Sequence, residues 1–358
     1  NKWSTIALAR FACLYAGAIW GIFWIPVRAI NDAGIHGLWS SAIWFAAPTI
    51  LLLPVTILRF KSIKTGGISL QITAILSGVA LLCYTLAFLY TDVVRAMLLF
   101  YLTPVWSTLL AAIILNESIT WQRILAIILA LMGMLIIFGL GRNFPIPKNV
   151  GDWLGILSGI IWAIATIRIR KHEGHSAVDM TIGFFFWSMI ASLILCYFLA
   201  SNQLPSIEKI IGVLPWLFTF MAVFVIPGAF ASLWGPKYIS PGLVGLLMMT
   251  EIIFGSITAA LFANEPFGIR ESLGIILIIS ASVLEPLSEI IKSLVLLSGI
   301  LKIDSAGTSA PHPPDYLGHT HLRMHQLGSF LFILSAGINY FFSIFRNFGI
   351  IQEISILY

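Results

Sequence analysis

Long apolar runs recur along the chain, separated by short polar joints. The clearest pair lies in Tyr238–Glu289. There two runs flank Asn264-Glu265-Pro266, and the first carries an acid, Glu251, near its centre. The same layout occurs in Tyr90–Gly139 around Asn116-Glu117-Ser118. Laying Asn116-Glu117 on Asn264-Glu265 gives an offset of 148 residues, which places Tyr90 on Tyr238 and Thr103 on Glu251. The pattern predicts a duplicated chain.

A helix that crosses a bilayer needs about 20 mostly apolar residues. The pattern predicts ten such helices: Phe11–Ile30, Leu38–Leu58, Leu70–Tyr90, Val93–Leu115, Ile124–Leu140, Trp153–Ile169, Met180–Ala200, Leu214–Trp234, Pro241–Ala263 and Gly268–Leu284. The short joints make consecutive helices antiparallel neighbours. Prolines within the runs (Pro26, Pro48, Pro54, Pro104 and Pro227) predict kinks, whose freed backbone groups neighbouring helices can satisfy. Residues 8–143 form one five-helix repeat and residues 151–289 a second. An odd number of crossings per repeat inserts the second upside down, the plan of many secondary transporters, with the substrate site near the midplane between the halves.

Composition fixes the solvent. Of 358 residues, 59% are hydrophobic and 10% charged, and the mean hydropathy is +0.98. Soluble domains carry about 25% charged residues, so an all-α, multi-pass membrane protein is expected. The net charge of +5 points to no nucleic acid, because basic residues of such proteins gather in cytoplasmic loops. With the N-terminus inside, inner segments hold ten Lys and Arg against six outside, and both tight clusters, Arg59–Lys64 and Arg168–Lys171, fall inside. The expected location is a bacterial cytoplasmic membrane with a cytoplasmic N-terminus. Cys13, Cys83 and Cys196 sit in apolar runs and read as small core residues. The chain opens at Asn1, so a few residues are expected to precede it, and Phe11–Ile30 lacks a cleavage site and reads as a retained span.

The repeats also match at their starts. Ala16-Gly17-Ala18-Ile19-Trp20-Gly21 resembles Gly159-Ile160-Ile161-Trp162-Ala163. Gly17 and Gly21 are four apart, as are Gly151, Gly155 and Gly159, a spacing that lets helix backbones approach closely. Ala18-Ile19-Trp20-Gly21, Leu98-Leu99-Phe100-Tyr101-Leu102-Thr103-Pro104-Val105-Trp106, Asn116-Glu117 followed by a Gly-bearing fifth span, and Leu233-Trp234 leading to Asn264-Glu265 resemble the EamA type of the drug/metabolite transporter superfamily across about Phe11–Glu289. The resemblance implies ten helices in two inverted repeats, a central cavity, and alternating-access transport of small metabolites, often outward. Related proteins often carry Glu-Pro where this chain has Glu251-Ile252, which puts the helix break made by that proline in question. Residues 290–358 have no counterpart in the resemblance. Asp304–Gln326 reads as a loop, and Leu327–Phe345 as a further span or an interfacial helix. His321 and His325, beside His312 and His319, stand one helical turn apart, but the solvated-loop reading is preferred to a metal site.

Glu251 is the sharpest candidate for substrate or proton handling. A carboxyl at mid-bilayer is costly, about 2.5–3.5 kcal/mol on insertion scales, and almost always faces the bundle interior. It could bind a substrate amine or carry a coupling proton; the competing reading is a neutral, hydrogen-bonded structural glutamate. Trp20, Trp24, Tyr84, Tyr101, Trp106, Trp162 and Trp187 fall inside spans and are candidates to line the cavity, although for any single one core packing is the commoner role. Glu117 and Glu265 recur at the joints and suit helix capping. Arg28 and Arg95 suit interfacial anchoring. No phosphate loop, Walker lysine, Ser/His/Asp set or His-Glu-x-x-His motif is present, so no enzyme, cofactor or metal is expected. The partners expected are a small-molecule substrate and the lipid bilayer; the sequence sets no oligomeric state. Efflux of an amino acid or similar metabolite is the leading expectation, and the rival is a non-transporting multi-pass protein, an assembly factor or lipid-handling enzyme.

Overall fold

The computed structural model of the chain describes residues 2–91, 93–138, 147–262 and 267–304. Among them there is no β-strand. The first repeat holds α1 (Lys2–Gly21), α2 (Trp24–Asp32), α3 (Leu38–Leu51), α4 (Leu53–Tyr90), α5 (Val93–Phe100), α6 (Thr103–Ile114) and α7 (Trp121–Phe138). The second holds α8 (Val150–Lys171), α9 (Ala177–Leu199), α10 (Ile207–Phe220), α11 (Ile226–Trp234), α12 (Pro241–Met248), α13 (Thr250–Phe262) and α14 (Ile269–Asp304). Among the described residues, seven helical segments are long and apolar enough to cross a membrane: Thr5–Asp32, Leu53–Phe88, Ala96–Ile114, Val150–Lys171, Ala177–Leu199, Ile207–Lys237 and Pro241–Phe262. Leu38–Leu51 and Trp121–Ile137 are shorter apolar helices. Ser293–Tyr358 forms a separate unit, described only as helix up to Asp304. Leu327–Phe345, His312, His319, His321, His325 and Glu265 lie outside the described residues.

Four of the five prolines named above mark where helices restart, while Pro48 lies within α3. Pro26 opens α2 after a turn at Ile22-Phe23; Pro54 sits at the start of α4, Pro104 at that of α6 and Pro227 at that of α11. Proline lacks an N–H but suits a first helical turn. Several predicted boundaries differ: α1 begins at Lys2 rather than Phe11, α14 runs to Asp304 rather than Leu284, and the second and third spans join. The second span was expected to end at Leu58, yet α4 continues through the charged Arg59–Lys64 stretch. Nothing there breaks a helix until Gly66-Gly67, where Gly67 adopts φ 57°, a left-handed conformation that glycine adopts without steric cost.

The fourth run of each repeat is broken at the same place. α5 ends at Phe100 and α12 at Met248, 148 residues apart, so the offset read from the joints also relates the breaks. The second break needs no proline: the Met249 amide bonds to Leu246 and the Ile252 amide to Met249, both three residues back rather than four. At the first break Pro104 has no N–H for the Phe100 carbonyl, and the Thr103 hydroxyl donates to it instead. At the second, Thr250 Oγ1 lies 3.1 Å from the Leu247 carbonyl and 3.0 Å from that of Leu14 on α1.

Each break is packed by the first helix of the other repeat. α1 lies against α11, α12 and α13, while α8 lies against α4, α5 and α6. Glycines permit the approach. A Cβ on Gly17 would sit 2.7 Å from the Met248 carbonyl oxygen, one on Gly21 2.5 Å from that of Glu251, and one on Gly159 2.9 Å from that of Phe100. A buried cluster then joins Leu98 and Tyr101 to Ala126, Ala130 and Met134 of α7, and to Met249, Ile252 and Ile278 across α12–α14. Gly21→Ala should therefore destabilise the protein by about 1–3 kcal/mol through overpacking against backbone. Gly212→Ala, on α10 with open space around it, should be neutral or slightly stabilising. Unfolding midpoints of the two variants in one detergent check the contrast.

Candidate functional site

Glu251 occupies the first turn of α13, just past the break, and is 3% exposed. The turn at Met249 sets the direction of its side chain, and Gly21 holds its own backbone against α1. Tyr84 of α4 donates its hydroxyl to Glu251 Oε1 at 3.3 Å. The Tyr101 hydroxyl faces the same carboxyl from the first break, without completing a hydrogen bond of normal geometry. Aromatic rings fix these groups: Tyr84 stacks on Phe100 with centroids 4.3 Å apart and meets Phe88 at 4.7 Å. Trp20 meets Phe184 edge to face at 6.4 Å.

These residues enclose a cavity of about 40 Å³, walled by Trp20, Tyr84, Phe100, Trp162, Phe184, Met248 and Glu251, with Ala80 and Leu81 behind Tyr84. That is room for a water or two, far below the roughly 300–1,000 Å³ of a small-molecule site. The walls come from both repeats. A single carboxyl in an aromatic box can accept hydrogen bonds from an ammonium or hydroxyl group, or take up a proton. Admitting an organic solute requires the helices to separate.

Of the sequence-predicted residues, the structure brings Trp20, Tyr84, Trp162 and Glu251 to this cavity, with Tyr101 beside it. Trp24 and Trp187 point to other partners. Trp24 Nε1 donates to Thr258 Oγ1 at 3.1 Å, and Trp187 Nε1 to Gln71 Oε1 at 2.8 Å. Trp106 is not among the cavity walls. Glu117 lies half-buried in the joint before α7, whose first turn is capped by Thr120 Oγ1 accepting from the Arg123 amide at 3.2 Å. Phe100, Phe184 and Met248 escaped sequence reading, since nothing in an apolar run marks which ring faces inward.

Two buried acids near the helix ends were also missed. Asp179, at the start of α9, pairs with Arg59 of α4. Asp152, at the start of α8, accepts from Thr91 Oγ1 at 2.6 Å and from the Lys148 amide at 2.8 Å. Arg168 reaches the Ser69 carbonyl at 3.3 Å, and Arg123 reaches Ser240 Oγ at 2.7 Å, so the basic clusters Arg59–Lys64 and Arg168–Lys171 share one end of the bundle. His175 stands in the joint beside them. Burial first, then repulsion from His172, Arg168 and Lys237, pushes its pKa below the ordinary range.

Comparison with known proteins places this geometry. The model of the EamA-like transporter family matches residues 7–139 and again 149–284. An uncharacterized transporter of Helicobacter pylori is 22% identical over 303 residues, covering 81% of this chain and 98% of that one. An uncharacterized transporter of Clostridium kluyveri is 25% identical over 253 residues, covering 67% of this chain and 80% of its own length. One solved crystal structure shares the fold with a TM-score of 0.60 at 14% identity, covering 78% of this chain and 97% of that one.

The Tyr84–Glu251 contact yields a stability test. Tyr84→Phe leaves the carboxyl buried with one donor fewer, which should cost about 1–3 kcal/mol. In the Glu251→Gln background the same change should cost measurably less, because the two groups are coupled. A double-mutant cycle on unfolding midpoints reads the difference.

Proposed function

Because this chain belongs to the EamA-like transporter family, we propose that it is a secondary transporter that moves a small organic solute by alternating access. The observation that carries the reading is the buried Glu251 in an aromatic cavity walled by both repeats, where the two broken helices meet. The cavity in this conformation is closed to solutes, as an intermediate between two open states would be. A cationic or zwitterionic solute suits a lone carboxyl among aromatic faces, and amino-acid-like metabolites leaving the cell are the substrates and direction we favour. Glu251 would then carry the coupling proton or meet the substrate amine.

The same reading takes the chain as ten spans in two inverted repeats. Support comes from the ends at which equivalent residues lie. Lys61 stands at the Arg59–Asp179 end, whereas Lys209, 148 residues on, reaches the Gly34 carbonyl at 3.2 Å beyond the far end of α3. This pair, a repeat apart, lies at opposite ends of the bundle, as an inverted repeat would place it. The basic end is assigned to the cytoplasm by the positive-inside rule, which puts the N-terminus inside a bacterial cytoplasmic membrane.

Glu251→Gln tests the mechanism. The variant keeps the side-chain size and should insert normally, since an amide costs less to bury than a carboxylate. It should lose pH-gradient-driven accumulation while substrate-for-substrate exchange survives, and Glu251→Asp should be partly active with a shifted pH optimum. Uptake into vesicles reconstituted with each protein reads this. Equal gradient-driven accumulation by wild type and the Gln variant removes Glu251 from coupling. A reporter fused after Lys171 should be active only in its cytoplasmic form; periplasmic activity there reverses the orientation.

A further inference from the structure

We propose that the basic end of the bundle holds a second binding site, distinct from the Glu251 cavity, at which an anionic group, a carboxylate or phosphate, competes with Asp179 for Arg59. The site is a vestibule of about 610 Å³ between α4 and the α8–α9 joint, whose polar walls include Arg59, Lys61, Thr65, His175 and Asp179. Its volume is that of a small-molecule site, which the central cavity in this conformation lacks.

The ion pair at its wall is lopsided. Arg59 bonds Asp179 through Nε, and through Nη2 at 3.1 Å; the same Nη2 reaches Ser176 Oγ at 3.1 Å, and Ser62 Oγ donates to Asp179 at 2.6 Å. The Arg59 side chain is 35% exposed and that of Asp179 only 3%. Both line the vestibule, but the cation is the more open of the two. A guanidinium presents five donors in a planar fork; Nη1 takes no part in the bonds above, and a carboxylate or phosphate that also draws Nη2 from Asp179 and the two serines is held in bidentate fashion, with Lys61 beside it.

The pair spans the repeats, Arg59 and Ser62 from the first, Ser176 and Asp179 from the second. Below it, α4 and α9 touch at backbone distance: a Cβ on Gly183 would meet that of Ala74 at 2.6 Å, and one on Gly78 the Phe184 carbonyl at 2.9 Å. That seam separates the vestibule from the cavity walled by Phe184. An anion that draws Arg59 away leaves a buried carboxylate without its counterion, which is strongly unfavourable. The relief available is to part α4 from α9 and let water reach Asp179. In the transport reading above, on which this last consequence rests, an arriving zwitterionic solute loosens, through its carboxylate, the seam that closes its own path.

Binding can be read in detergent, where no gradient exists, so failure to transport would leave this result standing and failure to bind would leave the transport reading standing. The melting temperature of the purified full chain is measured against L-glutamate, inorganic phosphate and, as a cationic control, putrescine. Either anion should raise it with saturation and putrescine should not. Arg59→Gln should abolish the rise and Lys61→Gln should weaken it. Asp179→Asn, which removes the competitor, should bind the anion roughly tenfold more tightly. Nanodiscs of phosphatidylglycerol against phosphatidylcholine separate a lipid headgroup from a free solute as the source of the anion. Stabilisation by phosphatidylglycerol that Arg59→Gln removes would support the site with lipid as its occupant. No anion-dependent rise in the wild type, in detergent or in nanodiscs, or an equal rise in Arg59→Gln, overturns the proposal even should Asp179→Asn fail to fold.

Discussion

Everything at the centre of this bundle depends on two broken helices being sealed by backbone contact from the opposite repeat. Ending a helix inside a membrane leaves carbonyls without amide partners, and lipid offers none. Here threonine hydroxyls at the restarts of α6 and α13 supply donors, and α1 and α8 close over the breaks at distances only glycine permits. The arrangement is reciprocal: Gly17 of the first repeat lies on the second break, and Gly159 of the second repeat lies on the first. Each break is approached at backbone distance by a glycine of the other repeat, so neither is sealed without its partner.

The same constraint places the chemistry. A break turns the chain and brings the start of the next helix to the bundle centre, and Glu251 is the residue found there. Its carboxyl lies where an acid is costly, with a tyrosine hydroxyl directed at it and aromatic rings fixing that tyrosine. The first repeat places Thr103 at the corresponding position, a residue that satisfies its own break and carries no charge. Duplication thus supplied two similar frames, and only the second holds a carboxyl at this position.

Much of this was legible in the sequence because it rests on register. The offset of 148 came from two Asn-Glu joints, and it relates α5 to α12 residue for residue. Glu251 was legible because a lone acid in an apolar run has few alternatives, and Trp20, Tyr84 and Trp162 were candidates because they fall inside spans. Trp24 and Trp187 were not separable from them: an indole in an apolar helix looks the same whether it faces a cavity or, as here, Thr258 or Gln71. The break at Met249 was illegible since no proline marks it, and the Arg59–Asp179 pair since its members are 120 residues apart and each reads alone as an interfacial charge. Side-chain direction and long-range pairing are properties of packing, which periodicity does not encode.

The central claim is that the space around Glu251 opens to water, and cysteine accessibility tests it most directly. In a chain whose Cys13, Cys83 and Cys196 are replaced by alanine, single cysteines are placed at Ala80 and Met248 on the cavity wall and at Ile257 and Leu261, which are 39% and 53% exposed on the bundle exterior. A membrane-impermeant thiol reagent should label the two cavity positions, with the side of access changing when substrate is added, and should leave the two exterior positions unlabelled within the bilayer. Cavity positions as inert as Ile257 and Leu261 from both sides of the membrane would contradict a transport path through this site.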